Sequence, residues 1–198
     1  MGSAVCHQMA ERSFIVEGMQ MPFCARCTGI YIGAFFAFCY FFLKKRMYGN
    51  TFTLTQAVIT GMMILPIGID GTGSYLGFWE SSQGMRIFTG SLVGAVTPGF
   101  LLMAGNFEPQ KENESLVYED TMNLLFLMVI SVGYGVCLMA GIPAYGISAL
   151  MCVLGEGMLW GGAVWLILKN LLKKKGFPYW KVSVGIAFVV LFLMGGLV

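Results

Sequence analysis

Apolar residues in this chain fall into long unbroken runs, and polar residues collect in short clusters between them. The runs lie at roughly 24–43, 52–70, 85–105, 119–140, 143–169 and 180–198. Each approaches the ~20 residues a helix needs to cross the hydrocarbon core of a bilayer. The pattern predicts an all-α fold, a polytopic transmembrane bundle of about six helices with the lipid bilayer as its first partner. Short connections make residues 1–198 one integral membrane domain. Residues 1–23 form an extracytoplasmic N-terminal segment carrying part of a site. The longest polar connection, GNFEPQKENESLVYED at 105–120, reads as a solvent-exposed loop with a short helical lead into the fourth span. Tyr179 and Trp180, just after Pro178, read as an interfacial anchor.

Composition sharpens this picture. The chain is 57% hydrophobic and 11% charged, against about 25% charged in a soluble domain, and no nucleic-acid partner is expected. Its 27 glycines suit helices packed through small residues. Residues 1–21 include Glu11, Arg12 and Glu17 and lack the apolar core of a cleavable signal peptide, so none is expected. The two halves show no convincing repeat. Asp70-Gly71 and Gly155-Glu156-Gly157 are only a weak echo of each other.

The placement of Lys and Arg sets an orientation. If the first span ends inside, the inner segments collect Lys44, Lys45, Arg46, Lys111, Lys169, Lys173, Lys174, Lys175 and Lys181. The outer side keeps Arg12, Arg26 and Arg86. Nine against three is a positive-inside bias, with both termini outside the cytoplasm. Residues 1–28 and the connection 69–90 then share the outer face. Most unusual polar groups gather there; Asn123 and Glu156 stand apart, deep in the second half.

Candidate chemistry begins with Cys6-His7 and with Cys24 and Cys27, three apart. Thr28–Leu43 supplies only about 24 Å of helix. Extending the helix back to Pro22 cures the shortfall, since Pro suits a first helical turn. Cys24 and Cys27 would then share one face at a helix N-terminus, where the dipole and Arg26 favour thiolate. Cys6, His7, Cys24 and Cys27 offer four ligands for zinc. A three-cysteine site, with His7 just behind the ligands or acting as a general base, is an equal alternative. The same pair also suits thiol–disulfide exchange with a partner or a quinone. The plainer readings are a structural zinc clip or a static disulfide. Cys39, Cys137 and Cys152 sit in apolar runs and read as packing residues.

Asp70, Glu80 and Arg86 occupy the outer connection. Arg86 is expected to pair with Glu80 or Asp70, or to bind an anionic group of a small-molecule or lipid-linked substrate. Asp70 and Glu80 would orient that substrate or do acid–base work with His7. The plainer reading is an interfacial salt bridge. Glu156, near the middle of the fifth span, is a substrate-binding or proton-relay candidate, or a protonated carboxyl bonded between helices. With the outer acids it would also suit a small transporter or channel. The oligomeric state is not legible.

Cys6-His7-Gln8, Glu11-Arg12-Ser13-Phe14 and Cys24-Ala25-Arg26-Cys27-Thr28-Gly29-Ile30-Tyr31 together resemble a family of small prokaryotic integral membrane proteins, domain of unknown function 2085. Asp70-Gly71, Glu80-Ser81 and Arg86 with Thr89-Gly90 fit its later pattern. The resemblance covers residues 5–103 well and the rest loosely. The chain departs at Ser74, Trp79 and Ser82-Gln83, where the family carries Gln, Arg and Thr-Asn. The resemblance implies the membrane fold and these motif residues, and no reaction.

Overall fold

The computed structural model describes Cys6 and residues 10–110, 112–172 and 179–196. Six helices follow a two-stranded hairpin: β1 (Ser13–Val16), β2 (Met19–Cys24), α1 (Ala25–Leu43), α2 (Leu54–Tyr75), α3 (Gln83–Asn106), α4 (Thr121–Met139), α5 (Tyr145–Leu172) and α6 (Tyr179–Gly196). The first five are long and apolar enough to cross a membrane. The expected six-helix architecture therefore holds, with spans shifted by a few residues at their ends.

The hairpin is a departure from the sequence reading. Residues 19–24 do not extend α1 backwards. They form a strand with Met21 and Phe23 buried and their neighbours more exposed. Glu17 and Gly18 both have positive φ, the geometry of a tight two-residue hairpin turn. The Glu17 carboxylate accepts from the Tyr145 amide at 3.1 Å and so fastens the hairpin tip to the start of α5. Pro22 therefore lies in the strand rather than in a helical first turn.

α1 occupies the centre and packs against α3, α4 and α5. Its contact with α3 is a glycine seam, Gly29 and Gly33 facing Gly90 and Gly94. A Cβ on Gly33 would lie 2.7 Å from the Ser91 carbonyl oxygen and 2.8 Å from the Ala95 nitrogen. Only glycine allows the two backbones this approach, the small-residue packing that substitutes in lipid for a hydrophobic driving force. Gly155 of α5 likewise meets the Tyr31 carbonyl of α1.

α2 is the peripheral helix. Its best apolar window is 17% buried, against 56% for α1 and 61% for α3. Its buried residues are Gln56, Thr60, Asp70 and Gly73, with no large apolar side chain among them. Gln56 and Thr53 form a capping box, and the Gln56 amide also donates to the Tyr118 carbonyl at 3.3 Å.

At the end of the bundle away from the cysteines, the 105–120 connection differs from the free loop expected. Val117 donates to the Thr51 carbonyl at 3.0 Å, and Tyr118 is fully buried against Tyr40, Phe41 and Phe52. Among the described residues no helical lead precedes α4; Leu116 bridges to Thr51, and the chain bends through 117–120 into the helix. Asn123 is not deep: it lies in the first turn of α4, where Asp120 accepts from its amide at 2.7 Å. Lys169 donates to Asn106 at 2.9 Å, and Lys44 pairs with Glu119 at 3.1 Å.

Candidate metal centre and its surroundings

The hairpin exists to deliver Cys24. β1–β2 pairing sets Ser13 opposite Cys24, and the chain turns into α1 at that residue. Cys24 occupies the N-cap position with extended backbone and no side-chain capping bond, so its thiol does not cap the helix and lies with the other cysteines. Cys27 follows in the first turn. Phe23 anchors the junction, fully buried and edge-on to Tyr31 at 4.7 Å, while Thr28 donates to the Phe23 carbonyl at 3.2 Å.

Cys6 completes the group. The Cys24 amide donates to Cys6 Sγ at 3.3 Å, and the sulfurs of Cys6, Cys24 and Cys27 all lie within 4.8 Å of one another. Cys6 is buried and the other two are half-buried, in an apolar cluster with Phe14, Val16, Met21 and Ile87. Zinc–sulfur bonds of about 2.3 Å put tetrahedral ligands about 3.8 Å apart, so the three thiols need close by only about 1 Å to share one ion. His7 lies outside the described residues.

The outer polar residues sort themselves differently from expectation. Asp70, buried at the end of α2, pairs with Arg26 of α1, between the two cysteines, and not with Arg86. The same Asp70 oxygen accepts from Ser81 at 3.0 Å. Arg86 donates through Nε to the Ser81 carbonyl at 3.0 Å and forms no ion pair among the described residues. Its charged surroundings include Arg12, Arg26, Asp70 and Cys24. Glu80 is exposed. Ser81 is thus the junction between Asp70 and Arg86, a role no spacing rule in the sequence points to.

Glu156 is wholly buried, and neither carboxylate oxygen has a hydrogen-bond partner among the described residues. Because Gly155 abuts Tyr31, one turn beyond Cys27, Glu156 lies beneath the cysteines. Ser148, Cys152 and Glu156, four apart, are all fully buried and make a polar file along α5. Ser148 and Tyr134 share a hydrogen bond of 2.9 Å at its upper end. That i, i+4, i+8 spacing was present in the sequence and would have found the file.

Comparison with known proteins agrees with this membrane architecture. The sequence profile of a family described as "Predicted membrane protein (DUF2085)" matches residues 6–100. An uncharacterized protein of Methanothermobacter thermautotrophicus is 38% identical over 90 residues, covering 46% of this chain and 78% of that protein. One from Methanocaldococcus jannaschii is 35% identical over 101 residues, covering 50% of this chain and 63% of its own. No solved structure matches. The matched stretch holds the three cysteines, Arg26, Asp70, Glu80 and Arg86, and stops short of Glu156.

Proposed function

The chain belongs to the DUF2085 family of predicted membrane proteins, and from that premise we propose a membrane-embedded enzyme built around a three-cysteine zinc centre at the extracytoplasmic face. The observation that carries the reading is the convergence of Cys6, Cys24 and Cys27 within 4.8 Å, from an N-terminal segment, a strand end and a helix first turn. Three soft thiolates suit zinc in a tetrahedral site. The fourth position takes either His7, which closes the centre as a structural clip, or water and substrate, which leaves it catalytic. In the catalytic form a zinc held by the three cysteines would supply Lewis-acid chemistry and His7 would serve as general base, with Glu156 the buried carboxyl behind them. Asp70, held by Arg26 and Ser81, orients Arg26, and Glu80 stands at the exposed rim.

The extracytoplasmic assignment rests on charge: Lys44, Lys45, Arg46 and Lys169 all fall at the opposite end from the cysteines. An amphipathic or lipid-linked substrate suits a centre at the membrane surface. A second reading is thiol–disulfide exchange, favoured by three thiols in mutual reach with one at a helix N-cap.

Elemental analysis of purified protein separates the two. Wild type is expected to carry one zinc, Cys24→Ser none, and His7→Ala to keep it with an exchangeable fourth ligand. A metal-free wild type with a reversible disulfide among Cys6, Cys24 and Cys27 overturns the zinc reading in favour of redox chemistry.

A further inference from the structure

Resting on the reading of an outward site for an amphiphile, we propose that the arginine face beside the cysteines binds the phosphate group of a membrane amphiphile, with Arg86 as principal ligand. Arg86 commits only Nε to the protein, leaving its two terminal nitrogens without an acceptor among the described residues. Arg12 and Arg26 add positive charge around it, while the nearby Asp70 carboxylate is engaged through Oδ2 by Arg26 and Ser81, its Oδ1 being buried without a partner among the described residues. The Arg26 Nε is also buried without a partner among the described residues. Two half-buried guanidinium groups around one occupied carboxylate leave uncompensated positive charge where water screens it poorly. An anion relieves that.

The surroundings set the depth and the character of the anion. Tyr75, Leu76, Phe78 and Trp79, between α2 and Arg86, are all exposed. Aromatic residues just past the end of a spanning helix sit at headgroup level. The anion is therefore met at that depth, with apolar surface alongside for a chain. A guanidinium fork matches phosphate or carboxylate oxygens; Arg26 is turned to Asp70, so Arg86 is the fork that meets the ligand, and the added charge of Arg12 and Arg26 favours the more highly charged phosphate.

The test is native mass spectrometry of the full chain in a phosphate-free detergent, titrated with phosphatidic acid and, separately, with neutral diacylglycerol. Phosphatidic acid is expected to bind selectively. Arg86→Gln should weaken binding tenfold or more, Arg86→Lys several-fold, and Arg12→Gln two- to threefold, while Lys44→Gln at the opposite end changes nothing. Equal retention of phosphatidic acid by wild type and Arg86→Gln overturns the proposal, as does equal binding of the neutral lipid. Inorganic phosphate at the same concentration should not displace the lipid; if it does, the site is for the free anion and the amphiphile is refuted. Zinc measured on the same samples keeps the two readings apart. Arg86→Gln should retain the ion, which also reports that it folds, and Cys24→Ser should lose the ion while still binding the lipid.

Discussion

Replacing Glu156 tests whether its carboxyl is held for function rather than for the fold. Both oxygens are buried without a partner among the described residues, in a helix that crosses the bundle. An unsatisfied buried polar group costs about 1–3 kcal/mol. Glu156→Leu exchanges it for an apolar side chain of similar size and should therefore stabilise the protein by about that amount. For a chain of this length that corresponds to a rise in thermal midpoint of about 2–12 °C. Glu156→Gln is the matched control: it removes the charge but keeps two unsatisfied polar atoms, and should leave the midpoint within about 2 °C of wild type. The assay is thermal unfolding in detergent, followed by intrinsic fluorescence at fixed protein concentration. If Leu lowers the midpoint while Gln preserves it, the carboxyl is a hydrogen-bonded element of the helix packing, and its assignment to the site fails.

Two further outcomes test the packing that positions the site. Gly33→Leu forces α1 and α3 apart at the glycine seam and should destabilise by at least about 1–3 kcal/mol, with zinc and lipid binding lost together as the Arg26–Arg86 spacing opens; unchanged midpoint and binding would show the seam to be compliant. Tyr118→Ala empties a fully buried ring site and should cost about 3–5 kcal/mol in the same unfolding assay, whereas Tyr118→Phe, losing only a long 3.4 Å bond to the Ala95 carbonyl, should cost under about 1 kcal/mol.

Much of the architecture was legible because a bilayer imposes one rule, a long apolar helix, and five of the six runs obey it among the described residues. The cysteines were legible as a group because their chemistry is rare in such a chain. The hairpin was misread because span length was used to extend α1 through residues 22–24. Period-two burial of Met21 and Phe23, together with Glu17-Gly18, was the competing signal and proved stronger. The choice of Arg26 over Arg86 as partner of Asp70 was not legible at all. It depends on how α2, packed on α3, brings Asp70 within reach of the start of α1, which no local pattern encodes. Tyr118 was hidden for a similar reason: a lone aromatic in a polar stretch looks like a loop residue until its pocket is built by α1, α3 and the 50–53 segment.

Helix α2 has a mechanical consequence. Every residue it buries is polar or glycine, and these lie toward its two ends, Gln56 and Thr60 near one and Asp70 and Gly73 near the other. It is tied by polar contacts at both feet, with Ile59 and Met63 only partly buried against the core between them. Removing Asp70 would therefore loosen the end beside the cysteines while Gln56 still holds the other to Tyr118.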